Sequence, residues 1–181
     1  MADVSWPLIK KGIKTLPQIK FRQEIIFKRG GLTAINDTTA TSPDATIAAL
    51  TRFSNQFNQG LTLILAAGGT DKNLDFKDWA GAVKKNVKPE SLFLLEGSAT
   101  SKMLAELKKI NYFENGQPRL YPTLTSLLTA ALKYAKIAGS EKILLFSPGA
   151  ASFEKFKNEF DRGEKFNVCL RAALAGSSYK H

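Results

Sequence analysis

The sequence predicts an α/β fold: a mostly parallel β-sheet with helices on both faces, preceded by a β-hairpin. Three observations carry that prediction. Apolar runs at residues 61–66, 91–95 and 143–146 read as buried strands. Stretches with apolar residues every three or four positions alternate with them, the pattern of a parallel sheet joined by helical crossovers. Ahead of both, Gly30-Gly31 separates the strand-like segments 21–29 and 32–37, the spacing of a two-residue hairpin turn. At 181 residues the chain is long enough to bury one sizeable core.

Taken in order, residues 1–20 carry Leu8, Ile9, Ile13 and Leu16 behind Pro7, with Pro17 closing the stripe. So short a helix cannot stand alone, and it is expected to lean on the domain or on something outside the chain. Ile25, Phe27, Ala34 and Ile35 suit the two hairpin strands. Ser42 as N-cap, with Pro43 at the first helical position, opens a helix that turns Ile47, Leu50, Phe53 and Phe57 inward. The threonine-rich loop 36–42 then lies at that helix's positive end. After strand 61–66, the loop Gly68-Gly69-Thr70-Asp71-Lys72 leads to a helix capped by Asp75, in which Phe76, Trp79, Ala80 and Val83 recur at the spacing of a helix packed on a sheet. Strand 91–95 is followed by a helix over 101–110, with Met103, Leu104 and Leu107 on one side, and by a turn at Asn115-Gly116-Gln117-Pro118. Thr123 caps a long helix through Leu127, Leu128, Ala131, Tyr134, Ala135 and Ala138 that Gly139 ends.

Composition narrows the chemistry. Hydrophobic content of 44% and charged content of 23% are ordinary globular values. No apolar run nears the roughly 18 residues of a membrane span, and no signal-peptide pattern opens the chain, so a soluble cytoplasmic protein is expected. Cys169 is the only cysteine, which excludes an internal disulfide, and His181 is the only histidine. Cys/His metal sites and histidine-based triads are therefore excluded within this chain, and no metal site is expected in it. Chemistry falls to Lys, Arg, Ser, Thr, carboxylates and backbone groups. A net charge of +10 raises nucleic-acid binding, but Lys10-Lys11, Lys84-Lys85 and Lys108-Lys109 are dispersed pairs that suit solvated helix faces. No nucleic-acid partner is expected; a positive balance also suits small polyanions such as nucleotides.

The most informative stretch begins where strand 143–146 ends. Residues 147–163 read as a small-residue turn running into a helix start. Ser147 and Ser152 offer hydroxyls there, and the free N–H groups of the turn favour a carboxylate or phosphate. A serine capping a turn would account for the same residues.

The run Ser147-Pro148-Gly149-Ala150-Ala151-Ser152-Phe153-Glu154-Lys155-Phe156-Lys157-Asn158-Glu159-Phe160-Asp161-Arg162-Gly163 closely resembles the C-terminal signature of the D-glutamate-adding Mur ligases, approximately S-P-x-x-A-S-F/L-D/E-x-F-K-N-x-x-x-R-G. Two more strings agree. Asn36-Asp37-Thr38-Thr39-Ala40-Thr41-Ser42-Pro43 resembles the family segment N-D-S/T-K-A-T-N-P, and residues 68–76 match G-G-x-D-K-x-x-D-F. The resemblance covers residues 20–175. It implies a Rossmann-like Mur ligase C-terminal, amino-acid-binding domain over 21–181, with 1–20 as the tail of a central domain and its linker.

What the resemblance implies for the site is specific. D-glutamate contacts map to Thr41, Lys72 and Ser152, with backbone contacts at Phe153 and Glu159. Lys72 supplies a point charge and Ser152 an oriented donor for a ligand with two carboxylates. Buried hydrogen bonds of this charged kind contribute about 1.5–3 kcal/mol each. Nucleotide contacts map to Arg22 for phosphate and Asp37 for ribose, which stand 15 residues apart as in the family. The whole enzyme would use ATP and Mg²⁺, with phosphate and metal sites mainly in the central domain. UDP-N-acetylmuramoyl-L-alanine would be held by regions outside this chain, its carboxylate activated as an acyl phosphate for attack by the D-glutamate amine in peptidoglycan synthesis.

The P-loop G-x-x-x-x-G-K-S/T that cradles ATP phosphates is missing here, since no Gly-Lys dipeptide occurs. The chain alone is thus expected to bind D-glutamate weakly, to turn over nothing, and to hold no catalytic residue by itself. A monomer is expected, with no membrane partner. Thr39 departs from the family, which commonly carries lysine there, and Glu159 stands where an aromatic is common. The rival reading is a free-standing, non-enzymatic Mur-like module that binds an acidic metabolite or, through its positive charge, nucleic acid.

Overall fold

The computed structural model describes residues 4–55, 61–114, 116–139 and 141–175. Phe57, Asn115 and His181 lie outside the described residues. The elements run α1 (Trp6–Thr15), β1 (Glu24–Arg29), β2 (Leu32–Asn36), α2 (Pro43–Asn55), β3 (Leu61–Ala67), α3 (Lys77–Asn86), a 3-10 turn (Pro89–Ser91), β4 (Leu92–Leu95), α4 (Ser98–Lys109), β5 (Leu120–Tyr121), α5 (Leu124–Ala135), β6 (Glu141–Phe146) and α6 (Glu159–Ala175).

The strands form one sheet in the order β1-β2-β6-β3-β4-β5. Only β1 and β2 pair antiparallel; β2–β6, β6–β3, β3–β4 and β4–β5 are all parallel. The hairpin turn is Gly30-Gly31 as predicted, and both residues take positive φ, 57° and 71°, which matches the twist of the flanking strands. Because strand side chains alternate, each strand serves two cores. Ile35, Leu63, Leu65, Leu94, Ile143 and Leu145 pack under α2, α3 and α4. Their neighbours Ala34, Ile64, Ala66, Phe93, Leu144 and Phe146 pack under α5 and α6. Burying a Leu- or Phe-sized side chain stabilises by about 1.5–3 kcal/mol, so the two layers carry most of the fold.

The local reasons are those the sequence offers. Asp75 Oδ1 accepts from the Lys77 N–H at 2.8 Å as α3 begins. Thr123 and Ser126 make a reciprocal capping box at α5, where Thr123 Oγ1 accepts from the Ser126 N–H at 3.1 Å. Leu50 and Phe53 of α2 and Met103 and Leu107 of α4 are buried as expected.

Other expectations are corrected. The turn after β6 does not run straight into a helix: residues 147–158 form a loop containing one isolated turn, in which Ser152 O accepts from Lys155 and Phe156. The helix waits until Glu159, because Asn158 Oδ1 caps it by accepting from the Asp161 N–H at 2.9 Å while Asp161 reaches back to the Lys157 N–H. Helix α4 starts at Ser98, before the predicted 101, and α5 stops at Ala135, before Ala138. Strand β5, two residues paired to β4, was not predicted at all. Of the two supports left open for the α1 stripe, the domain's cores are not the one used, for Leu8, Ile13 and Leu16 remain 59%, 59% and 68% exposed.

Candidate ligand-binding crevice

The topology opens a crevice at the carboxyl ends of the parallel strands. Strands β2 and β3 send their following helices to one face, whereas β6, lying between them, sends α6 to the other. Loops that part in this way leave a cleft, the usual ligand position in an open α/β sheet. Loop 37–42 follows β2, loop 68–76 follows β3 and loop 147–158 follows β6. Since β1 runs antiparallel, residues 21–23 return to the same edge.

Backbone pairing ties these loops together. Gly149 N–H donates to Ala40 O at 2.9 Å, Gly68 N–H to Pro148 O at 2.9 Å, and Thr70 and Ala151 exchange hydrogen bonds of 2.9 and 3.1 Å. Gly69 has to be glycine in this arrangement. Its φ is +149°, and a Cβ there would stand 2.4 Å from Ala151 O.

Two buried polar groups hold loop 37–42 against loop 147–158. Asp37 is almost fully buried; Ser147 Oγ donates to its Oδ2 at 2.8 Å and the Gln23 N–H donates to its Oδ1 at 3.1 Å. Burial pushes the Asp37 carboxyl up to about 6, against the pull of those hydrogen bonds and of Arg22. Arg162 is wholly buried. Its Nε donates to Thr38 Oγ1 at 2.9 Å, Nη2 to Thr38 O at 2.8 Å, and Nη1 to Ala150 O and Ala151 O at 3.0 Å each. Desolvation pushes its guanidinium down to about 10. Thr38 Oγ1 in turn donates to Glu159 O at 3.1 Å, which fixes the start of α6 to the same loop.

Comparison with known proteins agrees with this architecture. No family model matches the chain. It is 36% identical over 163 residues to the UDP-N-acetylmuramoylalanine--D-glutamate ligase of Treponema pallidum, covering 90% of this chain and 28% of the relative. It is 35% identical over 158 residues to the protein of the same name from Roseiflexus sp. RS-1, covering 87% of this chain and 31% of the relative. The chain belongs to the Mur ligases. It corresponds to a C-terminal region of that family and spans about a third or less of the length of these two relatives. Two solved structures share the fold: a murein peptide ligase Mpl from Psychrobacter arcticus (TM-score 0.58, 14% identity, 92% of this chain and 32% of the other) and MurF from Acinetobacter baumannii (TM-score 0.57, 15% identity, 93% and 34%).

The residues singled out for a Mur ligase site fall around one crevice through the pairings above. Thr41 follows Ala40, Lys72 lies two residues beyond Thr70, and Ser152 follows Ala151. Thr41 is half-buried and Lys72 exposed. Ser152 is 3% exposed, and its Oγ is one of two buried side-chain polar atoms without a partner among the described residues; Trp79 Nε1 is the other. Phe153 is 64% exposed. Glu159 opens α6, where backbone N–H groups have no intrahelical partner. Arg22 is exposed beside buried Asp37.

One expectation fails: Ser147 does not offer its hydroxyl to a ligand. It is fully buried, donates to Asp37 and lies 3.1 Å from Thr46 Oγ1, because the strand end turns it into the sheet layer and not into the cleft. Three features escaped sequence reasoning. Arg162 and Thr38 form the clasp between loops, and the arginine that closes the signature was the available signal. Glu154 caps α4 by accepting from the Ser98 N–H at 3.0 Å and from the Ser98 hydroxyl. Thr39, in the family's lysine position, uses Oγ1 to hold Phe21 O at 3.0 Å. Among the described residues no group of three or more His, Cys, Asp or Glu side chains could hold a metal ion, and no helix is long and apolar enough to cross a membrane.

Proposed function

We propose that this crevice is the acceptor-amino-acid site of a D-glutamate-adding ligase of peptidoglycan synthesis. The observation that carries the reading is Ser152. Its hydroxyl is buried without a partner in the cleft formed by the loops that carry the family's motifs. A buried hydroxyl left unbonded costs about 1–3 kcal/mol, and a ligand carboxylate relieves that cost. In this reading Ser152 and the N–H groups of Phe153 and Glu159 donate to one carboxylate. Lys72 neutralises the other and Thr41 adds a hydroxyl from the facing loop. The chain's task is to orient the D-glutamate amine for attack.

The nucleotide side is assigned to Arg22 and Asp37. Arg22 is free to reach a phosphate, while Asp37 keeps the lone pairs that Gln23 and Ser147 leave unused for a ribose hydroxyl. ATP supplies the activating phosphoryl group in such ligases. In this reading Mg²⁺ and most phosphate contacts are assigned to regions outside this chain. The chain alone binds the amino acid and completes no reaction. Residues 1–20 serve as the connector to the nucleotide-binding region. The working compartment is the cytoplasm.

Titrating the chain with D- and L-glutamate while following the amide resonances of Thr41, Lys72 and Ser152 tests the site. Saturable shifts at all three with D-glutamate favoured are expected. Shifts confined to surface lysines, or equal for both enantiomers, would sink the reading.

A further inference from the structure

Arg162 is fully buried, yet none of its partners is a carboxylate. Its hydrogen bonds go to the oxygens of Thr38, Ala150 and Ala151. The ion pairs among the described residues, Lys20–Glu164, Lys102–Asp71, Lys109–Glu106 and Lys165–Asp161, leave it out. A cation whose hydrogen bonds all go to neutral oxygens is costly to bury, and the one carboxylate that offsets it, Glu159, acts only through space and without a hydrogen bond. This fully buried guanidinium lies between loop 37–42 and loop 147–158. An independent observation lies next to it: Ser152, adjacent to the Ala151 carbonyl that Arg162 holds, has a buried hydroxyl without a partner.

We infer that Arg162 is a positioning residue whose charge is neutralised by a carboxylate of the bound amino acid. This rests on the D-glutamate reading given above. Arg162 acts in two ways. It draws the Ala150 and Ala151 carbonyls onto itself, so that these acceptors do not oppose an incoming anion. It also places a fixed positive charge behind the turn that presents Ser152. At an effective dielectric near 20, a unit charge placed about 8 Å from an anion would change its affinity about thirtyfold. Lys72, on the opposite loop and exposed to solvent, is left to serve the second carboxylate.

Chemical rescue separates charge from hydrogen bonding. The Arg162→Ala chain is titrated with D-glutamate, following the Thr41 and Lys72 amides, alone and with millimolar guanidinium or urea. Both additives are planar donors that can bridge Thr38, Ala150 and Ala151, and only guanidinium is charged. Affinity is expected to fall about thirtyfold, to return with guanidinium and to stay low with urea. Equal rescue by urea, or unchanged affinity without any additive, overturns the inference while wild-type binding leaves the D-glutamate site standing. No binding by the wild-type chain at tens of millimolar overturns both together. If Arg162→Ala does not fold, Arg162→Lys and Arg162→Gln decide. Lysine keeps the charge without the fork and glutamine keeps donors without the charge, so affinity about thirtyfold lower for Arg162→Gln than for Arg162→Lys is expected and equal affinities contradict the inference.

Discussion

Ser147 Oγ donates a 2.8 Å hydrogen bond to Asp37 Oδ2, and this contact joins the end of β6 to the end of β2 inside a dry layer. It makes a buried carboxylate tolerable without neutralising it. The Asp37 carboxyl is accordingly raised from its ordinary value of 3.8 to about 6. Stability follows from that shift. Below about pH 4 the group is protonated in folded and unfolded chains alike. Between about 4 and 6 only the folded chain keeps the proton, so this group's stabilisation is lost as pH rises, on the order of 3 kcal/mol in total. Asp71 and Asp161 are held low by Lys102 and Lys165 and act in the opposite sense, losing stability as pH falls through the carboxylate range. Comparing Asp37→Asn with wild type isolates the one group. Urea unfolding at a series of pH values should find the variant gaining on wild type from pH 4 to 7, and a pH-independent difference would refute the assignment.

Thr39 holds the Phe21 carbonyl through both its hydroxyl and its N–H. Restoring the family's residue with Thr39→Lys should cost about 0.5–1.5 kcal/mol in stability for the lost hydroxyl bond. The new charge near Asp37 should also lower that carboxyl, as an opposite charge within a few ångströms does. Carbon-detected titration of the Asp37 side chain reports the second effect. An Asp37 midpoint that stays put would mean the new side chain points away from the crevice.

Gly69→Ala should open the cleft. The added Cβ meets Ala151 O at 2.4 Å on a backbone with φ +149°, so the Thr70–Ala151 pairing has to give way. Strain of this kind costs about 1–3 kcal/mol. Hydrogen exchange at the Thr70 and Ala151 amides should accelerate more than exchange in the β3–β6 ladder. A uniform loss of protection would indicate global destabilisation instead.

Thr123→Ala removes the hydroxyl that accepts from Ser126 and serves as a control at a residue given no ligand contact. A loss of about 1 kcal/mol is expected, lowering Tm by about 2–4 °C in a domain of this size. D-glutamate affinity should not change. A binding defect in this variant would show that α5 communicates with the crevice.

The sequence by itself determined whatever depends on neighbours within one turn or one strand. Gly30-Gly31 dictates the hairpin because both residues must take positive φ, and Thr123 with Ser126 starts α5 through bonds spanning three residues. Apolar runs likewise marked β3 and β6 as buried strands. Long-range competition decided the rest. Strand β5 is two residues whose only reason to extend is β4, and α6 begins late because the Asn158–Asp161 cap prevails over the helical pattern before it. The crevice lies furthest from local rules. Ser147 meets Asp37 across 110 residues and Arg162 meets Thr38 across 124, so neither pairing leaves a periodic trace in the chain. Motif resemblance could name residues such as Ser152 and Lys72. Only the closed sheet, which removes water from Asp37, Ser152 and Arg162, decides which of those polar groups are already satisfied and which, the Ser152 hydroxyl, has no partner among the described residues.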